Sequence, residues 1–167
     1  MSEKIGFTDE YYMQQALKEA REAFRKDEVP VGAVIVCEGR IIARTHNLTE
    51  TLNDVTAHAE ILAITSASET LGGKYLNGCT LYVTLEPCSH YGKTPPCAEA
   101  IAKAGIKKVV VALKDPNPLV SGRGIKFLRD RGIEVVTGVL EKEALNIHEI
   151  FIKYSALPCK GEQYIVK

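Results

Sequence analysis

The order of short apolar runs limits the fold more than any other feature of this 167-residue sequence. Residues 33–37 and 40–45 have strand character and are separated only by Glu38-Gly39, which predicts a β-hairpin. Three later runs of the same kind alternate with helical segments, and they are residues 80–85, 108–113 and 133–137. Because helical crossovers join parallel strands, the sequence predicts a mixed sheet with helices on both faces.

Five segments show the apolar spacing of helices, and they are residues 8–25, 57–71, 97–104, 124–131 and 140–154. Thr8 is the predicted N-cap of the first helix because Asp9 and Glu10 follow it in the first turn. We expect the buried stripes of the first two helices to contain Tyr12, Met13, Ala16, Leu17 and Ala20, and Ile61, Leu62, Ile64 and Ala67. The expected order is α-β-β-α-β-α-β-α-β-α.

Charge and cysteine content narrow the class of protein. The formal net charge of +0 does not favour a large nucleic-acid footprint, and no run approaches the ~20 apolar residues of a membrane span. The start of the chain has no apolar signal core, and the five cysteines are an odd count. Together these features favour a reducing, cytoplasmic location over a disulfide framework. Cys37 and Cys79 are expected in the core, and Cys159 lies in the tail.

Two separate segments place zinc-type ligands at the starts of predicted helices. His58-Ala59-Glu60 begins one helix, Cys88 follows a strand, and Cys97 begins the next helix. Helix starts favour thiolates, and three nitrogen or sulfur ligands with an open fourth position are typical of catalytic zinc. A lone histidine or cysteine is more often a cap or a core residue. The combination predicts Zn²⁺ held by His58, Cys88 and Cys97, with Glu60 as the acid–base residue and no organic cofactor.

Over nearly its whole length the chain resembles the cytidine deaminase superfamily. This resemblance implies an α/β fold, a three-layer α/β/α sandwich around a five-stranded mixed sheet, and a homodimer. Up to about Glu60 the chain is similar to bacterial tRNA adenosine deaminases, in residues 28–36, 46–48 and 56–60. From Thr84 onward it is similar to the deaminase domain of the riboflavin-biosynthesis deaminase/reductase, in residues 86–97, 115–118 and 122–124.

The spacing of the two cysteine ligands separates these branches. Eight residues lie between Cys88 and Cys97, whereas the tRNA-editing branch has a tight P-C-x-x-C. In contrast, Glu28-Val29-Pro30 and Asn47 depart from the riboflavin pattern, and Asn47 matches the tRNA branch. By resemblance, the expected substrate contacts are Asn47, Ala59, His90, Lys93, Thr94, Asp115 and Asn117. A plain turn is an equally good interpretation of Asp115-Pro116-Asn117-Pro118.

These features lead to one principal hypothesis and two alternatives. The principal hypothesis is a zinc-dependent hydrolytic deaminase of the diaminohydroxyphosphoribosylaminopyrimidine of riboflavin biosynthesis, standing alone without a reductase domain. The first alternative is a tRNA wobble-adenosine deaminase. The second is a non-catalytic, zinc-bearing nucleotide-binding domain. We expect a deaminase domain over residues 1–157 and a tail over 158–167, and the sequence leaves open whether the two patterns reflect recombination.

Overall fold

The computed structural model describes residues 6–92, 94–118 and 120–155, and within them five strands form one sheet. The strands are β1 (Gly32–Cys37), β2 (Arg40–His46), β3 (Cys79–Leu85), β4 (Lys108–Leu113) and β5 (Glu134–Thr137). The helices are α1 (Asp9–Arg25), α2 (Ala59–Leu71), α3 (Cys97–Lys103), α4 (Arg123–Asp130) and α5 (Glu141–Ser155). The predicted order of elements is confirmed.

The sheet is mixed, with strand order β2-β1-β3-β4-β5. β1 runs antiparallel to β2 and β3, whereas β3, β4 and β5 are parallel. In the hairpin turn, Glu38 and Gly39 have φ of 52° and 78°. Positive φ at both positions gives a turn whose twist matches that of paired strands, so the predicted hairpin is confirmed.

Helices cover both faces of the sheet. Ile35 and Val83 point to the face packed by α2, α3 and α4, while Val34 and Tyr82 point to the face packed by α1 and α5. This alternation follows from the two-residue period of a strand. The three-layer α/β/α arrangement is therefore confirmed, and the parallel strands β3 and β4 are buried on both sides.

The prediction for α1 is correct. Thr8 is the N-cap, and its hydroxyl oxygen accepts a hydrogen bond of 3.2 Å from the Tyr11 N–H. The five residues of the expected stripe are all buried, and they are Tyr12, Met13, Ala16, Leu17 and Ala20.

The predicted buried stripe of α2 was wrong in part. Ile61, Leu62 and Ile64 are only half-buried, and the residues that face the core are Ala59, Ala63 and Ala67. Small side chains let the helix approach the sheet closely, so the larger aliphatic groups are displaced to its flanks. One of these, Ile61, consequently faces a pocket described below.

The predicted tail, residues 158–167 with Cys159, lies outside the described residues. Cys79 is buried as expected, whereas Cys37, its partner across β1 and β3, is half-buried. Of the helices in the described ranges, none has the length and apolar character needed to cross a membrane.

Candidate active site

His58, Cys88 and Cys97 lie together where α2 and α3 begin. His58 is the N-cap residue of α2, Cys97 is the first residue of α3, and Cys88 follows the end of β3. Their ligand atoms all lie within 4.8 Å of one another. His58 Nδ1 is 3.4 Å from Cys97 Sγ, and Cys88 Sγ accepts a hydrogen bond of 3.2 Å from the Cys97 N–H. The three predicted ligands are thus brought together from three elements.

The donor set fits zinc in both chemistry and spacing. Bonds of about 2.0 Å to nitrogen and about 2.3 Å to sulfur at a tetrahedral ion place two donors about 3.5 Å apart. The 3.4 Å between His58 Nδ1 and Cys97 Sγ agrees with that spacing. Two thiolates and one imidazole also neutralise a divalent cation, and three protein ligands leave a position open for catalysis.

Cys88 is prepared to act as a thiolate. Its pKa is lowered to about 4, first by a hydrogen bond from the Cys97 thiol and then by His58 and the Cys97 backbone N–H, against the opposing effect of burial. The backbone donor belongs to the first residue of α3, where N–H groups lack partners within the helix. The fold therefore favours the ionised form that a metal requires.

A pocket of about 310 Å³ opens beside these ligands. Its lining consists of Val55, Thr56, His58, Ile61, Cys88, His90, Gly92, Thr94, Pro95, Pro96, Cys97 and Ala100. The loop between the two cysteines supplies five of these residues, so it forms one wall of the pocket. Among the described residues of this loop, His90 and Thr94 are the polar side chains in the lining, and Val55 and Ile61 provide apolar surface.

Glu60 lies two residues after His58 in the first turn of α2, and it is 5% exposed. His58 and Ile61, which flank Glu60 in the chain, both line the pocket. Asn47 and Ala59 are also buried, and Asn47 Oδ1 accepts a hydrogen bond of 2.8 Å from the Ala59 N–H. Asn47 therefore fixes the start of α2 beside the metal ligand.

The remaining expected contacts are less direct. Asp115 Oδ1 accepts a hydrogen bond of 2.9 Å from the Asn117 N–H, which is the contact of a turn, and neither residue belongs to the pocket lining. Lys93 lies outside the described residues. Placement in the structure thus favours His90 and Thr94 as the substrate-facing members of the predicted set.

Sequence reasoning missed two buried carboxylates, Glu86 and Glu28. Glu86 accepts four backbone hydrogen bonds of 2.9–3.2 Å, and their donors are Asp115, Gly122, Gly124 and Ile125. Glu28 accepts its hydrogen bonds from the segment 49–51. Glu86 directly follows the apolar strand β3 and precedes a proline, and an acidic residue in that setting was the signal available in the sequence.

The sandwich fold and the three-ligand site are those expected of a zinc-binding deaminase. Residues 7–113 match the zinc-binding region of the cytidine and deoxycytidylate deaminases, and the chain belongs to this family. The expected deaminase class and the expected zinc cofactor both agree with this family and with the ligand group.

Relatives from two branches are about equally similar to the chain. The riboflavin biosynthesis protein RibD of Bacillus amyloliquefaciens is 47% identical over 148 residues, covering 87% of this chain and 38% of that protein. The tRNA-specific adenosine deaminase of Bacillus subtilis is 46% identical over 149 residues, covering 87% of this chain and 89% of that protein. The chain thus spans about two fifths of the length of the RibD relatives it matches.

The solved structures lead to the same family. A tRNA:A34 deaminase that carries out A-to-I editing at the wobble position superposes with a TM-score of 0.71 at 44% identity, covering 82% of this chain and 98% of that chain. Overall identity therefore establishes the family and leaves the substrate to be argued from the pocket.

Proposed function

We propose that the chain deaminates the diaminohydroxyphosphoribosylaminopyrimidine of riboflavin biosynthesis. The observation that carries this proposal is the loop between Cys88 and Cys97, which lines the pocket with His90 and Thr94. An imidazole and a hydroxyl on one wall suit the polar edge of a substituted pyrimidine. The similarity to RibD, whose name denotes riboflavin biosynthesis, supports the same substrate class.

The pocket also suits a planar ring in its size and surface. Small-molecule sites have volumes of roughly 300–1,000 Å³ and mostly apolar walls with a few polar groups. The 310 Å³ pocket is at the lower end of that range. Val55, Ile61 and Pro95 offer apolar contact to the ring faces, while His90 and Thr94 orient its edge.

The proposed reaction is hydrolysis of the bond between a ring carbon and its exocyclic amine. Zinc, when bound, lowers the pKa of water from ~15.7 towards 7 and so supplies a nucleophile at neutral pH. Glu60 takes one proton as the water oxygen bonds to the ring carbon and passes it to the ring nitrogen. It then takes the second proton, from the hydroxyl now on that carbon, and passes it to the departing amine. The carbon–nitrogen bond breaks, ammonia leaves, and the ring carbon becomes a carbonyl.

The buried position of Glu60 supports its proposed role. A carboxyl group with little exposure to water exchanges protons with the substrate rather than with solvent, and Glu60 is 5% exposed. Asn47 holds the backbone of Ala59, directly before Glu60, and so limits movement of this part of α2. A purely structural zinc site has no need of such a residue and more often has four protein ligands, which disfavours a non-catalytic nucleotide-binding domain.

A tRNA wobble-adenosine deaminase is the second candidate. Asn47 and the segment that follows it resemble that branch, and the tRNA-specific relative is matched over most of its own length. A flipped adenine would have to enter the same pocket. The absence of a basic excess in the composition counts against a large RNA footprint, so this candidate ranks second.

We extend the proposal to the organisation of the protein. Residues 1–157 form the deaminase domain, the protein acts in the cytoplasm, and it assembles as a homodimer. The family resemblance supports each of these, and sedimentation of the purified chain tests the dimer.

An ammonia-release assay tests the function directly. Purified zinc-loaded protein is supplied with the pyrimidine ribosylamine phosphate or with a tRNA anticodon stem, and Glu60→Gln protein serves as the control for contaminating activity. We expect ammonia from the pyrimidine and a loss of about 10²-fold or more in Glu60→Gln with zinc retained. Turnover of the tRNA alone would reverse the order of the two candidates, and turnover of neither would reject both.

A further inference from the structure

Glu28 carries a fully buried carboxylate in the connection between α1 and β1, with 0% of the residue exposed. One oxygen, Oε1, accepts hydrogen bonds from the N–H and the hydroxyl of Thr51, at 2.6 and 2.9 Å. The other, Oε2, accepts from the Glu50 N–H at 3.2 Å and the Thr49 hydroxyl at 3.3 Å. A buried carboxylate is costly without such partners, so this contact fixes the three donor residues firmly.

The held residues lead directly to the substrate pocket. Residues 49–56, which we call the anchored segment, run from the Glu28 contact to Val55 and Thr56 in the pocket lining. The Asp54 N–H donates to the Thr49 carbonyl at 3.0 Å, and the Asp54 carboxylate accepts from both the N–H and the hydroxyl of Thr56. The segment is therefore tied at its start to Glu28 and braced internally up to the pocket.

The metal ligands have supports besides the anchored segment, which the His58 N–H joins through a hydrogen bond of 2.8 Å to the Thr56 carbonyl. Asn47 fixes the start of α2 through the Ala59 N–H, and the Cys97 N–H orients Cys88. None of these contacts involves Glu28. A disturbance at Glu28 should therefore move the Val55 and Thr56 wall more than it moves the zinc site.

We propose that Glu28 is a positioning residue for substrate binding, because its carboxylate sets the place of the anchored segment as one wall of the pocket. This inference rests on the proposed function in that the pocket takes the substrate ring. It assigns to Glu28 an effect on KM, with zinc content and kcat largely unchanged.

Glu28→Gln is the informative variant because it keeps the shape of the side chain. Each carboxylate oxygen faces a backbone N–H, one from Thr51 and one from Glu50. A glutamine amide has only one oxygen, so in either orientation its NH₂ group faces one of these two backbone N–H donors. The hydrogen bond from that N–H is then lost. The variant weakens the anchor without creating a cavity.

The experiment compares the full-length, zinc-loaded parent with Glu28→Gln. We expect faster hydrogen exchange at the Glu50 and Thr51 amides, one zinc per chain as in the parent, and a KM raised about 10-fold or more with kcat within about threefold. Thr51→Val, which loses one hydroxyl donor and keeps the N–H, should give a smaller effect in the same direction. Glu69→Gln, an exposed isosteric change on α2, should behave as the parent.

Unchanged KM and exchange in Glu28→Gln would overturn the proposal, as would a loss of zinc with KM preserved. If Glu28→Gln fails to fold, Thr51→Val decides by the same two measurements. KM is measured with whichever substrate the parent deaminates. If the parent deaminates neither, the proposed function fails, and the exchange of residues 49–56, measured without substrate, still decides whether Glu28 holds the segment.

Discussion

Gly124 lies so close to Pro87 that a Cβ atom at position 124 would be 1.9 Å from the Pro87 carbonyl oxygen. The Gly124 N–H also donates to Glu86 Oε1 at 2.9 Å, so the start of α4 is held on both sides. Because Pro87 directly precedes the metal ligand Cys88, this packing joins α4 to the zinc site. The lack of space for a Cβ atom at Gly124 explains why a glycine lies in the first turn of this helix.

Gly124→Ala should destabilise the protein, because backbone atoms cannot yield as a flexible side chain can. We expect a loss of ~1–3 kcal/mol in the free energy of unfolding, the usual range for overpacking. Urea unfolding of the zinc-loaded protein measures it. Gly73→Ala is the matched control, since nothing lies within 4 Å of its added Cβ. Equal stability of the two variants would show that the contact with Pro87 relaxes at little cost.

Removing either cysteine ligand should remove the metal. We expect about one zinc per chain in the parent. Cys88→Ala and Cys97→Ala should lose zinc and deaminase activity together, because each leaves two protein ligands. Cys37→Ala serves as the control, since Cys37 lies in β1 opposite Cys79 and outside the ligand group. Atomic emission on dialysed protein measures the ratio of metal to chain. Full occupancy in either ligand variant would contradict the assignment.

The sequence was sufficient to predict the sheet and the ligand cluster because both depend on local patterns. The strands appear as short apolar runs between turn or helical segments, and the crossovers between them impose the parallel order. His58 and Cys97 lie at helix starts, which are themselves recognisable from the sequence. Once the strands were placed, the end of β3 and the starts of α2 and α3 were expected at the same edge of the sheet.

The two carboxylate anchors could not be predicted in the same way. Glu28 receives its hydrogen bonds from residues more than twenty positions away, and Glu86 from residues about thirty to forty positions away. No periodic pattern links such partners. The predicted buried stripe of α2 was wrong for a related reason. The close approach of the α2 alanines depends on the sheet beneath the helix, which the helix's own sequence does not describe. Hydrophobicity alone favoured Ile61 and Leu62 as core residues.

His148 should make the fold sensitive to acid. It lies on α5 beside Leu17 and Leu113, and burial lowers its pKa below the ordinary value of 6.5, although Asp115 and Glu149 oppose the shift. The unfolded chain then binds a proton more readily than the folded chain does. The stability that neutral His148 contributes is present above pH 6.5 and is lost as the pH falls towards its folded pKa.

Replacing His148 with glutamine tests this effect. Between about pH 7.5 and pH 5, the free energy of unfolding of the parent should fall by more than that of His148→Gln, because the variant has no group there to protonate. Urea titrations of both proteins at each pH provide the measurement. Parallel losses in the two proteins would assign the acid sensitivity to other groups.

Thr94 should contribute to substrate binding through its hydroxyl. It is half-buried in the loop between the two cysteine ligands and lines the pocket, and Pro95 and Pro96 stiffen the chain directly after it. Thr94→Val keeps the shape and removes the hydroxyl, so a lost hydrogen bond of ~0.5–1.5 kcal/mol should lower kcat/KM for the pyrimidine about 2- to 12-fold. Thr65→Val, an exposed change on α2, is the control for the Thr94→Val substitution itself.

Lys93→Ala, at a position outside the described residues, stays a prediction from the sequence. The expected loss of kcat/KM for the pyrimidine is ~10- to 150-fold, the value of a charged hydrogen bond. If Thr94→Val and Lys93→Ala both match the parent on the pyrimidine, this loop does not select the substrate, and the wall formed by Val55 and Thr56 becomes the better place to look for selectivity.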